Sequence, residues 1–379
     1  MDAAALKRLG STFKHDIAAG RLPGAVMMVT QCGDMEFFNA FGQQDVVAGT
    51  PMRQDSIFRI YSMTKPIVSL ASLMLVEEGK LFLADPVSKY LPEFAKQKVA
   101  VMRSGKLQLE PAWRDMTVQD LLRHTSGLTY EFLGTEPVQM QYRDADIASR
   151  DISNRDMCRK LAALPLARQP GAVWQYSRST DVLGAVVEVV SGQTLGVFLQ
   201  ERILGPLGML DTAFSVPPEK QHRIAEPFAA DPDTGAAVNL IDLRAVPLNE
   251  SGGGGLASTA ADYARFLQMM LNGGVLDGVR LVSRKTVAWM TSGHLGKIAI
   301  EGELLQAGHG FGLGFAVRTV AGVAPTPGSV GMYHWSGIGG TCFFVDPKEE
   351  MFAILLTQAP GQRIHYRTLF RNMVYAAMD

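Results

Sequence analysis

Charge is scarce in this chain of 379 residues: Asp, Glu, Lys and Arg make up 19% of it, and the formal net charge is -1. A nucleic-acid binder carries a basic stripe or tail. No block of like charges occurs here, so a polyanionic partner is not expected. Cysteine is scarcer still. Cys32, Cys158 and Cys342 are scattered, odd in number and without C-x-x-C spacing, which argues against a disulfide framework or a metal site. The expectation is free, buried thiols in a reducing compartment. No apolar run is long enough to span a bilayer; the best, Ile67 to Val76, is about half the length required. The opening residues, Met1-Asp2-Ala3-Ala4-Ala5-Leu6-Lys7-Arg8, lack a basic segment followed by an apolar one. No secretory signal and no membrane partner are therefore expected, and the chain is placed in the cytoplasm.

Several catalytic motifs are also missing. No serine has a glycine two positions before it, so the Gly-x-Ser-x-Gly nucleophile elbow of α/β-hydrolases is absent. No His-Glu-x-x-His helix, no phosphate-binding Gly-x-x-x-x-Gly-Lys loop and no histidine cluster with metal spacing occurs. No metal and no cofactor are expected.

What is present is an apolar chain, 47% hydrophobic, able to bury a sizeable core. Residues 2–19 read as an amphipathic helix ending at Gly20. Ala25 to Thr30 and Met35 to Ala40 read as strands joined at Gln31-Cys32-Gly33-Asp34, a hairpin. Ile67 to Glu78 is apolar nearly all round and is closed by Gly79, the mark of a buried helix. The middle, 85–245, reads as helices and loops. Thr117 to Asp120 opens a short helix ending near His124, and Ser179-Thr180-Asp181 starts one over Val182 to Val190. After Gly252 to Gly255, Ser258 to Leu271 is a capped helix. Thr341 to Val345 and Phe352 to Thr357 are strands, and Ile364 to Met378 is a last helix. Hairpins at both ends pair antiparallel. The expected fold is α+β: an antiparallel sheet from both termini flanked by helices, plus a mostly helical inserted domain. The expected division is 1–84 with 246–379, and 85–245, with the active site at their interface.

Ser-x-x-K occurs twice, at Ser11-Thr12-Phe13-Lys14 and at Ser62-Met63-Thr64-Lys65. Ser11 lies within a charged, amphipathic helix and reads as part of a solvated face. Ser62 opens the buried helix, where one turn sets side chains at i and i+3 side by side. The helix start offers unpaired N–H groups and a positive dipole end. A lysine held in that apolar setting has a lowered pKa. Pro66 is compatible, because a proline in the first turn removes an N–H that had no helical partner.

These residues resemble the first motif of the class C β-lactamases and of their esterase relatives, the family VIII carboxylesterases. Tyr176-Ser177-Arg178 resembles the second motif, Tyr-x-Asn, at its tyrosine. His334-Trp335-Ser336-Gly337 occupies the slot of the third, which is Lys-Thr-Gly in the lactamases. Leu121 to Leu128 and Gly252 to Thr259 also look like this family. The resemblance runs from about residue 20 to the end. It implies that Ser62 attacks an ester or amide carbonyl, that Lys65 and Tyr176 share the proton work, and that the backbone N–H groups of Ser62 and Ile338 form an oxyanion hole. It implies substrate contacts from Arg178, His334, Trp335, Ser336 and Gly337.

Two departures narrow the expectation. Trp335 stands where lactamases place a lysine that helps bind the substrate carboxylate, and Arg178 stands for asparagine. An indole in place of a cation removes a charge-assisted contact to an anion and adds apolar surface suited to a neutral ester. The Trp-x-Gly pattern resembles the esterase branch. The expected activity is therefore hydrolysis of short-chain carboxylic esters, a small-molecule substrate, with weak β-lactam turnover. The alternatives are an acyltransferase on the same fold, a β-lactamase, and a non-catalytic binding relative.

Overall fold

Two short turns set the ends of the architecture. At the first, Gln31 pairs with Asp34 across Cys32 and Gly33, both at positive φ (52° and 85°), the geometry that lets a two-residue turn follow the twist of its strands. At the second, Asp346 pairs with Met351 around a short turn that ends with Glu350 at positive φ. The computed structural model describes residues 1–378. Strands β1 (Gly24–Gln31), β2 (Asp34–Asp45) and β3 (Thr50–Pro51) come from the first part of the chain. Strands β4 (His309–Phe311), β5 (Ala316–Arg318), β6 (Tyr333–Ser336), β7 (Cys342–Asp346) and β8 (Met351–Leu356) come from the last. They form one sheet in the order β4-β5-β6-β7-β8-β1-β2-β3, joined by antiparallel pairings.

The centre of this sheet is buried on both faces. Val26 and Met28 of β1 and Phe352, Ile354 and Leu356 of β8 join one apolar cluster. Ala25, Met27 and Val29, with Met351, Ala353 and Leu355, join another. Successive side chains point to opposite faces, so a strand covered on both sides reads as an unbroken apolar run rather than an alternation. One cover is built from α1 (Ala3–Ala18) and α5 (Arg363–Tyr375), which supply Leu9, Phe13, Tyr366 and Phe370. The other contains α2 (Thr64–Glu77), α3 (Ser179–Ser191) and α4 (Ala260–Leu271), and it continues into the middle of the chain through residues such as Leu121 and Trp174. Among the described residues no single helix is long and apolar enough to cross a membrane.

Local details differ from expectation for identifiable reasons. Lys98–Arg103 and Lys106–Pro111 form a hairpin inside the segment read as helices and loops; the signal was its turn, Ser104-Gly105, both at positive φ. Cys32 is exposed on its turn rather than buried, while Cys158 and Cys342 are buried, and all three are free. Helix α3 begins at Ser179 with no side-chain cap; the Ser179 hydroxyl is engaged with Ser126 and Ser177 instead. Helix α4 begins at Ala260 behind a Thr259 cap, because Ser258 is drawn into a strand pairing with Phe58. Helix α5 stops at Tyr375.

The α1–α5 layer gives a direct test. Phe13 is fully buried, with its ring centroid 5.3 Å from that of Tyr366. Truncation to Phe13→Ala should cost about 3–5 kcal/mol, the usual range for a large core aromatic. Urea unfolding of the variant reads this; a loss under about 1 kcal/mol would show that α1 is not an integral cover of the sheet.

Candidate active site

The chain reaches the site through a strained turn. Strand residues Phe58–Arg59 pair with Ala257–Ser258, and then Tyr61 takes a positive φ of 46°, an uncommon conformation for a bulky side chain. It leads a single 3₁₀ turn, Tyr61–Met63, directly into α2. Ser62 therefore sits just before the helix, not within it. Contacts hold the turn from three sides. Tyr263 Oη donates to Met63 O at 2.9 Å, the Ile241 amide donates to Tyr61 Oη at 3.0 Å, and a Cβ at Gly337 would stand 2.3 Å from Ile60 O. That last approach requires glycine.

Around Ser62 Oγ the groups converge. Tyr176 Oη donates to it at 2.6 Å and Lys65 Nζ at 3.2 Å. Tyr176 is brought in by the two-residue strand Val173–Trp174, which pairs with Ala299–Ile300, and by the start of α3. Lys65 lies on the first turn of α2 and has no exposed surface. Its Nζ also donates to Tyr130 Oη at 2.9 Å and to Gly253 O at 2.6 Å, and it stands 4.5 Å from the Tyr176 ring centroid. Gly253 permits that carbonyl to approach, since a Cβ there would meet Asp181 Oδ2 at 2.4 Å.

Burial brings the Lys65 pKa down to about 7, with Arg178 lowering it further and Asp181 opposing the shift. Burial drives the Tyr176 phenol the other way, well above its ordinary value, against the hydrogen bonds it shares with Ser62 and Trp335. At neutral pH the site thus holds a protonated phenol beside an amine near its midpoint.

The remaining residues singled out in the sequence divide between two places. Trp335 faces the site: its Nε1 donates to Tyr176 Oη at 3.4 Å, and its ring packs against Tyr176 and Phe311. Past it, Gly337 N–H donates to Thr341 O and Gly340 N–H to Gly337 O, a tight turn that leaves Ile338 exposed at the rim. The amide N–H groups of Ser62 and Ile338 have no protein acceptor among the described residues. Arg178 is turned to acids. It forks onto Glu131 and stands 3.6 Å from Asp181, with its guanidinium over the Tyr130 ring. His334 and Ser336 occupy the other face of β6 from Trp335, toward α5. Ser11 is far from any of this, spending its hydroxyl on Lys7 O.

Tyr130, Asp181 and Gly253 complete the surroundings of Lys65 and Glu131 those of Arg178; in the sequence Gly253 stands out only as part of a glycine run and Asp181 only as part of a helix start, and Tyr130 and Glu131 do not stand out. Tyr130 stands two residues after Leu128, and Asp181 is one of two acids, with Glu188, on a mostly apolar helix.

A cavity of about 1060 Å³ opens onto Ser62. Its walls include the buried Tyr130 and, on the exposed side, Phe132, Leu133, Leu304 and Ile338. A serine hydroxyl held between an amine near neutrality and a phenol, facing two unpaired amides and a mostly apolar cavity, is an arrangement that can make a serine nucleophilic. The β-lactamase family model matches residues 9–373, and the chain belongs to that family. Protein Rv1367c of Mycobacterium tuberculosis is 38% identical, with 90% of this chain and 86% of that protein covered. Esterase EstB of Burkholderia gladioli is 35% identical over 99% of this chain and 97% of its own. Among solved structures, EstCE1, a hydrolase with promiscuous acyltransferase activity, superposes with a TM-score of 0.82 at 28% identity, covering 98% of this chain and 99% of that one.

The Lys65 environment makes a pH prediction. A lysine that must be neutral to accept a proton is inactive below its pKa. kcat/KM should therefore rise with pH through about 7 and level off above it. Arg178→Met removes a cation that opposes protonation of Lys65 and leaves Glu131 and Asp181 uncompensated, so the rising limb should move to higher pH. A wild-type limb near the ordinary lysine value of 10.5, or an Arg178→Met limb displaced to lower pH, would show that this electrostatic account is wrong.

Proposed function

We propose that this protein is a serine carboxylesterase acting on small carboxylic esters through an acyl-enzyme on Ser62. The observation that carries the reading is the convergence of Lys65 Nζ and Tyr176 Oη on Ser62 Oγ, at 3.2 Å and 2.6 Å. In the proposed sequence neutral Lys65 takes the Ser62 proton as Oγ bonds to the carbonyl carbon. Charge developing on the carbonyl oxygen is met by the Ser62 and Ile338 N–H groups; losing one such donor typically costs about 2.7–4 kcal/mol of barrier. The tetrahedral intermediate then breaks its C–O bond to the alcohol. The leaving alkoxide takes a proton from the Tyr176 hydroxyl, and the Lys65 ammonium, 4.5 Å from the Tyr176 ring centroid, returns its proton to the phenolate. Water repeats the steps on the acyl-enzyme and frees the acid. The raised pKa of Tyr176 supports its role as donor rather than as the resting base.

The site draws Ser62, Lys65, Gly253 and Trp335 from 1–84 and 246–379, and Tyr130 and Tyr176 from 85–245. This supports the reading of a catalytic cleft between two units of the chain. Trp335 supports a preference for apolar groups beside the reacting carbonyl. It fills the place of a lactamase cation with an indole that is 6% exposed, and Arg178 is occupied by its two acids rather than free to replace that cation. A second reading, transfer of the acyl group to an alcohol, is supported by the size of the cavity, which has room for an acyl group and an acceptor together, and by the promiscuous acyltransferase activity in the printed description of EstCE1.

A serine-reactive phosphonate should label Ser62 alone, and Ser62→Ala should abolish ester hydrolysis; labelling at another serine, read by mass spectrometry, would overturn the assignment. Lys65→Ala and Tyr176→Phe should each remove most activity, with the double variant little worse, because groups on one proton path lose activity non-additively. For specificity, kcat/KM for a short-chain p-nitrophenyl ester should exceed that for a chromogenic cephalosporin by at least about two powers of ten, or about 2.7 kcal/mol of barrier. Trp335→Lys should narrow that ratio. An unchanged ratio would remove Trp335 from the account of specificity.

A further inference from the structure

The cavity at Ser62 does not stay on one face of the sheet. Strand β5 pairs with β6 only at Val317–Tyr333 and Ala316–His334, so β6 has a free edge beside Trp335 and Ser336. The open volume passes round that edge: its walls include Trp335 and Tyr176 on one side and His334, Cys342 and Phe344 on the other.

On that second side α5 presents Arg363, Arg367 and Arg371, spaced by four residues and therefore aligned along one helical face. All three line the cavity. Arg371 is only 9% exposed and makes one hydrogen bond, from Nη1 to Thr326 Oγ1 at 3.3 Å. Arg318, 5% exposed, donates to Thr326 O at 2.9 Å, and its Nε is buried without a partner. Arg367 donates to Gly337 O, and its Nε too is buried and unpartnered. Among the described residues no carboxylate lies within 4.0 Å of Arg318, Arg367 or Arg371. The neighbouring acids are otherwise engaged. Asp346 accepts from Tyr375 Oη, Ser329 N and Lys348 N, and at the mouth Asp231 and Asp233 both accept from Gln362 Nε2.

Buried guanidiniums without counter-ions are unfavourable unless something anionic meets them. Burial and the nearby arginines hold His309 and His334 below the ordinary histidine range. Those rings are neutral at pH 7, and each has a buried Nε2 with no partner. The arm therefore offers fixed guanidinium forks matched to a planar oxyanion, with the neutral His334 in its wall.

We propose that this arm binds a carboxylate through Arg371 and Arg367, with Thr326 bridging Arg371 to Arg318, and that the carboxylate is the far end of a dicarboxylic half-ester whose ester carbonyl lies at Ser62. The assignment of the anion to substrate rests on the esterase reading; the binding of a carboxylate does not. Trp335 and the arm are compatible, because the indole meets the apolar chain near the reacting carbonyl while the charge sits on the other face of β6.

The test has two arms. The first follows the melting temperature of wild type, Arg371→Lys and Arg371→Met in rising glutarate, at constant ionic strength set with sodium chloride, with inorganic phosphate run beside it. Wild type should show a saturable rise, Arg371→Lys a smaller one and Arg371→Met none. The second compares kcat/KM for p-nitrophenyl half-esters, hemisuccinate through hemisuberate, with neutral esters of matching acyl length. Wild type should favour one half-ester by at least about tenfold, and Arg371→Met should cut that preference by a similar factor. No saturable glutarate effect on wild type overturns the arm, as does stabilisation by phosphate alone. A glutarate effect without half-ester preference supports the arm but overturns the substrate, leaving a free carboxylate as its occupant. If wild type cleaves neither ester, the esterase reading fails, and the melting data alone decide the carboxylate site.

Discussion

Burying the whole Lys65 side chain takes an ammonium out of water, a cost of several kcal/mol that the surroundings offset only in part. Much of the site can be read as a response to that fact. Three oxygens surround the amine, from Ser62, Tyr130 and Gly253, and two aromatic faces border it. Two glycines are required so that backbone can come close, at Gly253 and Gly337. A buried acid, Asp181, opposes the loss of charge and Arg178 favours it. Full compensation would leave Lys65 an ordinary ammonium, unable to accept a proton at neutral pH. Partial compensation leaves it near its midpoint, where it can both take and return one.

The charges that tune the amine are themselves locked. Arg178 is held by Glu131 and Asp181, and Asp181 in turn accepts from the Ser251 hydroxyl and the Gly253 amide. The same Gly253 gives its carbonyl to Lys65. One short glycine-rich segment thus touches both the amine and the acid that opposes its discharge, so a shift of that loop alters distance and charge together.

Much of this was legible in the chain, and unevenly so. The terminal hairpins and the buried helix were clear because turn residues and an all-round apolar pattern are local signals. Ser62 stood apart from Ser11 because their neighbours differ in polarity. Tyr130 and the ring of groups around Arg178 were not legible, because they depend on which side chain a distant backbone turns inward. Arg178 was read as facing substrate, since nothing nearby in the chain names Glu131 as its partner. The hairpin at 98–111 is hard to read for another reason: its apolar side chains lie partly in solvent, as Leu109 does at 51% exposure.

The sheet order has a consequence for how the protein comes into being. Strand β1 pairs with β8 on one side and β2 on the other, so the first strand made waits for the last. At ordinary translation speeds that delay is on the order of tens of seconds. During it the apolar edge of β1 has no neighbour and α1 has no α5 to lie against. Long-range strand pairing of this kind is intrinsically slow, and a nascent chain with an open apolar edge is a substrate for chaperones and a seed for aggregates. Yield in a heterologous host is thus governed by how long that edge stays uncovered, a property of connectivity to which the active site contributes nothing.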